Sequence, residues 1–161
     1  MAMIRSDVIG SLLRPDWLTD ARQRREAGAL TAAEFKRVED RAVDEAVRLQ
    51  ETAGLDVVTD GEMRRYAFFG HLIEALDGFD KFGGWAIPFH DEEGGKLVFK
   101  RPVVVEKLRW RRSMCGEEFA YLRARATRPT KVTLISSQQA AAYWDPDKSK
   151  EIGRASCRER V

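Results

Sequence analysis

Apolar and polar positions alternate along this chain with two different periods. Phe35, Val38, Ala42, Ala46, Leu49 and Ala53 recur at steps of three and four, the spacing that lays one apolar stripe along a helix. Thr31-Ala32-Ala33-Glu34 in front of them fits a capping box, where threonine and glutamate satisfy free N–H groups of the first turn. Gly54 is placed to end that helix. A shorter helix is predicted from Asp16 to about Ala27, led in by Arg14-Pro15 and stopped by Gly28. Phe69, Leu72, Ile73 and Leu76 predict another over 63–77, with Gly78 as its stop, and Gly116–Thr127 predicts a fourth.

Between these helices lie short β-branched runs that close on polar turns. Asp7-Val8-Ile9 runs into Gly10-Ser11, Leu55-Asp56-Val57-Val58-Thr59 into Asp60-Gly61-Glu62, and Lys131-Val132-Thr133-Leu134-Ile135 into Ser136-Ser137. Strands buried on both faces read this way, and in α/β barrels functional groups sit just beyond their C-terminal ends. Trp85–His90 and Lys96–Leu108 are also strand-like, separated by the acidic spacer Asp91-Glu92-Glu93-Gly94-Gly95, and Pro102 argues against a central strand. They predict an antiparallel β-ribbon inserted over the barrel mouth. The expected fold is therefore α/β: an incomplete (β/α)₈ TIM-type barrel, its N-terminal part, since a complete one takes about 250 residues. No internal repeat or low-complexity segment is visible.

Composition changes this picture at one place. Residues 151–161, Glu-Ile-Gly-Arg-Ala-Ser-Cys-Arg-Glu-Arg-Val, read as the translation of a common short-read sequencing adapter. They are set apart as a non-native tail, which leaves 1–150 as the barrel part and makes the chain, on this expectation, an N-terminal fragment. The formal charge of +2 includes +1 from the tail's three Arg and two Glu, so +1 remains for 1–150 and gives no argument for polyanion binding. Arg109–Arg128, with Trp110 and Tyr121 interleaved, is interrupted by Glu117 and Glu118 and reads as a solvated helix face rather than a nucleic-acid surface. Cys115 is the one cysteine outside the tail, which excludes an intramolecular disulfide framework and fits a reducing compartment. The N-terminus has no apolar signal core and no run approaches a membrane span. A cytoplasmic protein without membrane or nucleic-acid partners is expected.

Glu62 is the leading site candidate, an acid at a strand exit. Asp60 reads as structural, its side chain capping the turn or the following helix, and Gly10 and Gly61 as backbone requirements. Arg14, Arg64 and Arg65 reach either an anionic group or surface partners. His71 reads as a packed or surface histidine, with a minor part in substrate contact left open, and Trp85 and Phe89 as apolar cover for the barrel mouth. His71, His90 and Cys115 are scattered without metal-ligand spacing.

Val8-Ile9-Gly10-Ser11…Arg14-Pro15, Gln50-Glu51…Gly54-Leu55-Asp56…Asp60-Gly61-Glu62, Leu76…Gly78-Phe79 and Lys131-Val132-Thr133-Leu134, taken in order over about residues 7–137, resemble the catalytic barrel of the cobalamin-independent methionine synthase family and its single-barrel relatives. The resemblance implies transfer of a methyl group from a methyl-folate (a polyglutamated 5-methyltetrahydrofolate) to the sulfur of homocysteine, with zinc lowering the thiol pKa so that a thiolate exists at neutral pH. It implies that the Ile9-Gly10-Ser11 turn binds the substrate carboxylate and Glu62 its ammonium. The family's zinc ligands lie on later strands, so none is assigned in this chain, which alone is expected to be inactive. Lys96–Pro102 does not reproduce the family's Arg-Cys pair for folate, and the prolines usual around Ile135 and Ser137 are absent. A related thiol alkyltransferase using an epoxide or methyl-corrinoid donor, or a non-catalytic truncated piece, is the alternative reading.

Overall fold

The computed structural model describes residues 5–90 and 96–149. They form two compact units. One holds the described residues up to Phe68 together with Cys115–Leu134, and the other holds Phe69–Met114 with the described residues from Ile135 onward.

The first unit contains α1 (Asp16–Glu26), α2 (Ala32–Thr52) and α4 (Gly116–Arg125). α2 begins as its sequence dictates: the Thr31 hydroxyl accepts from the Glu34 N–H while the Glu34 carboxylate accepts from Thr31 N, the reciprocal capping box. Gly28 and Gly54, with φ of +75° and +80°, take the left-handed conformation beyond α1 and α2. The core is Leu18, Ala42, Val43, Ala46, Val47, Val58, Met63 and Leu122. The buried face of α2 is thus rotated from the expected stripe toward Val43, Val47 and Gln50, and Leu49 is 62% exposed. The reason is polar: Gln50 takes an inward position to hold the backbone of the next segment.

The three expected barrel strands are not formed as strands. Val58 and Thr130 make one parallel bridge, with Val58 N donating to Pro129 O and Lys131 N donating to Val58 O. The first segment is held by Ser6 O, which accepts from both Asp56 N and Val57 N, and by the Asp56 carboxylate, which accepts from Ser6 N and Oγ. These segments lie beside one another without extending a ladder.

The second unit contains α3 (Gly70–Ala75), β1 (Leu76–Asp80), β2 (Ala86–His90), β3 (Lys96–Lys100), β4 (Val103–Trp110) and α5 (Ser137–Ala141). β2 and β3 pair antiparallel with Ala86 opposite Lys100, which is the expected ribbon; its acidic spacer lies outside the described residues, as do 151–161. β4 pairs instead with β1. The helix expected over 63–77 is therefore cut to six residues, and Gly78 is not its stop. Gly78 sits at a register shift in β1 with φ +99°, where a Cβ would come 2.8 Å from Glu106 O, so the strand crossing itself requires glycine. Phe69, Leu72, Ile73, Ala75, Val103, Val104 and Tyr143 are among the unit's buried side chains. Phe69 and Phe79 both meet Tyr143 edge-on. Burial pushes the Tyr143 hydroxyl up to about 12. Trp85 is 61% exposed, with the Arg101 guanidinium 5.3 Å from the centroid of its ring; the Phe89 side chain lies outside the described residues.

Candidate functional site

Asp60-Gly61-Glu62 is built from the backbone outward, within the first unit. Gly61 and Glu62 both have positive φ, +67° and +55°, and Met63 N donates back to Asp60 O at 3.4 Å. Two left-handed residues inside a four-residue turn is the signature of the I′ class. Gly61 suits it by type; Glu62 carries the strain of a side chain there, of order 1–2 kcal/mol. Three bonds hold the turn. The Thr59 hydroxyl accepts from Gly61 N, Asp60 Oδ1 accepts from Glu62 N at 3.0 Å, and Leu12 N donates to Gly61 O. Asp60 is thus a turn cap, as its position in the sequence suggested.

Behind the turn, Gln50 is the anchor. Its amide nitrogen donates to Ala46 O and Thr59 O, and its oxygen accepts from Thr59 N at 2.9 Å. Sequence reasoning placed Gln50 only in a motif; the polar position following an apolar helix face was the available signal.

Glu62 is 3% exposed. Its Oε1 accepts from the Thr133 hydroxyl at 2.7 Å and lies 3.6 Å from an Arg65 nitrogen. Its Oε2 is buried with no partner among the described residues, as is Asp60 Oδ2. Arg14 Nη2 donates to Glu62 O, linking the first segment to the exit. Burial, and then Arg22, hold the Arg14 pKa below its usual value, while Glu62 acts the other way.

Arg65 is 1% exposed, so the surface-pairing alternative is set aside for it. It donates to Glu118 Oε2 through two nitrogens at 3.2 and 3.0 Å, and to Thr133 Oγ1 and O at 3.2 and 3.1 Å. Arg64 instead pairs with Asp40 at 2.5 Å. Glu118, expected on a solvated face, is buried at 9% exposure; burial raises its pKa, with Arg65 opposing and Asp60 adding to the rise. Glu118 and Thr133 carried no signal of their own, since each depends on a partner more than fifty residues away.

Ile9 is 92% exposed, Ser11 is exposed, and Gly10 has φ +84° with nothing within 4 Å of a would-be Cβ. Among the described residues none takes up the N–H groups of Ile9, Gly10 or Ser11. The turn lies one residue before Leu12, whose N–H is bound at Gly61, so it is tied to the Glu62 exit through that bond. His71 lies in the other unit, buried, with Nε2 accepting from Ile135 N at 3.4 Å. Burial and then Glu118 raise the Cys115 pKa, which disfavours a thiolate. Among the described residues no group of three His, Cys, Asp or Glu side chains is arranged to hold a metal ion, so these residues do not fit zinc. No described helix is long and apolar enough to cross a membrane.

The family profile described as cobalamin-independent synthase, catalytic domain, matches residues 4–145. The chain belongs to the cobalamin-independent methionine synthase family. Among its relatives, the methionine synthase of Sulfurisphaera tokodaii is 31% identical over 145 residues, covering 89% of this chain and 41% of that protein. The methionine synthase of Pyrococcus abyssi is 29% identical over 157 residues, covering 94% of this chain and 45% of that protein. Among solved structures, a B12-independent methionine synthase from a Shewanella species, in complex with selenomethionine, superposes with a TM-score of 0.65 at 24% identity, over 89% of this chain and 41% of that one. The chain spans less than half the length of these relatives. The last likeness supports an α/β fold shared with that family.

Proposed function

We propose that residues 1–150 form the N-terminal part of an incomplete (β/α)₈ barrel, with 151–161 standing outside it, and supply the amino-acid grip of a cytoplasmic methyltransferase. Glu62 takes the ammonium of a homocysteine-like thiol, and the Ile9-Gly10-Ser11 turn takes its carboxylate through backbone N–H groups and the Ser11 hydroxyl. The observation that carries this is Glu62 Oε2: buried, without a partner among the described residues, on a carboxylate whose other oxygen is already held. Leaving such an atom bare costs about 1–3 kcal/mol; a bound ammonium offsets it with a charge-assisted bond. Exposed N–H groups in a turn with a left-handed glycine make an anion nest of the complementary sign.

The reaction supported by family membership is methyl transfer from a methyl-folate to the thiol sulfur. The C–N bond breaks with its electron pair left on nitrogen, and a sulfur lone pair forms the C–S bond. What this chain's residues do in that reaction is orient the amino acid. The relatives named methionine synthase favour homocysteine as acceptor over the thiols of corrinoid- or epoxide-dependent alkyltransferases. Calorimetric titration of the full-length protein with homocysteine tests the reading. Glu62→Gln, which keeps size and removes charge, is expected to weaken binding roughly ten- to hundredfold, the equivalent of a charged hydrogen bond of ~1.5–3 kcal/mol. Unchanged affinity would refute it.

A further inference from the structure

We infer that Arg65 is a positioning residue that acts on the substrate through Glu62, with Thr133 as the relay; this rests on the reading of Glu62 as the ammonium acceptor. The direction of the relay follows from donor chemistry. A guanidinium only donates, so at 3.2 Å from Arg65 Nη1 the Thr133 hydroxyl oxygen is an acceptor and its proton is directed elsewhere. At 2.7 Å that proton reaches Glu62 Oε1. Oε1 is thereby held by Thr133, with Arg65 at 3.6 Å, and the rotation of the carboxylate is restrained, which leaves Oε2 as the oxygen without a partner among the described residues.

Arg65 sits between Glu62 and Glu118, with Asp60 buried beside them and Arg14 contributing from the first segment. Lysine does not replace this arrangement, because a single ammonium nitrogen cannot meet Glu118 at one end of a planar fork and Thr133 and Glu62 at the other.

The test compares homocysteine with 4-sulfanylbutanoate, the same thiol acid without its amino group, by titration of the full-length protein. The variants are Thr133→Val, which keeps shape and removes the relay, and Arg65→Lys, each first checked for a native circular dichroism spectrum. Both are expected to cut the preference for homocysteine by about tenfold and to change the affinity for the amine-free thiol by less than about twofold. Thr133→Val keeps the test alive if Arg65→Lys does not fold. An equal loss for both thiols, or an unchanged preference in a folded variant, overturns the inference and marks Arg65 as structural. Glu62→Gln run alongside separates the two claims: if it retains the full preference for homocysteine, the assignment of Glu62 falls and the inference with it.

Discussion

Replacing Gln50 by leucine should be among the most destabilising changes in the first unit, because it strands two backbone groups at once. Gln50 and Thr59 are each 2% exposed. The Gln50 amide is the partner of both Thr59 N and Thr59 O, whereas Ala46 O retains its place in the α2 ladder. Leucine matches the volume and makes no cavity, so the loss comes from the two orphaned groups. At about 1–3 kcal/mol each, the expected destabilisation is about 2–6 kcal/mol, a large share of the roughly 5–15 kcal/mol that holds a domain together. Urea unfolding followed by circular dichroism reads it as a lower midpoint at unchanged slope. Gln50→Glu separates hydrogen bonding from packing. It keeps the acceptor for Thr59 N but sets an oxygen against Ala46 O and Thr59 O, which favours the neutral acid and raises its folded-state pKa. The stability of that variant is therefore greatest at low pH and is lost as pH rises through the raised value. A midpoint shift worth less than about 1 kcal/mol for Gln50→Leu, or a Gln50→Glu variant indifferent to pH, would refute the anchor.

Gly61→Ala adds a Cβ that would meet Ala46, Leu12 and Met63 side chains, each at 3.2 Å, at a φ of +67°; left-handed strain of about 1–2 kcal/mol plus crowding of about 1–3 kcal/mol should lower the thermal midpoint by well over 5 °C. A variant as stable as the parent would mean the turn has another conformation. The Asp56 carboxylate accepts from Ser6 N and Oγ, and these bonds hold its pKa below the usual value. Its contribution is therefore present above about pH 3.9 and is lost as pH falls through the depressed folded value. Asp56→Asn should remove that acid-side component of the stability profile, measured by thermal unfolding between about pH 2 and about pH 5, a window that brackets the unfolded value; identical profiles would deny the tether.

The helices were legible where one local signal was enough. The α2 capping box is complete within four residues, and α1 and α4 stop close to their expected ends. What failed was non-local. Val57-Val58-Thr59 announces burial in sequence, but a parallel ladder needs partners far along the chain, and among the described residues the backbone of Val58 is bridged by Thr130 and its neighbours alone. Leu76–Asp80 looked like a helix end because Leu76 continued an apolar step; pairing with Val103–Trp110 overrode it. At the site, Glu62 stood out because an acid closes an apolar run. Arg65 was legible only as one of three arginines reaching either an anionic group or a surface partner, and Glu118 and Thr133 were not legible at all, since the ion pair and its relay are written in three separate segments.

The central claim is that Glu62 receives an ammonium group. A crystal structure of the full-length protein with bound homocysteine or methionine tests it most directly. The ligand nitrogen is expected at about 2.7–3.2 Å from Glu62 Oε2, with the ligand carboxylate on the Ile9-Gly10-Ser11 turn. A ligand nitrogen bound elsewhere, with Oε2 still unpartnered, would contradict it.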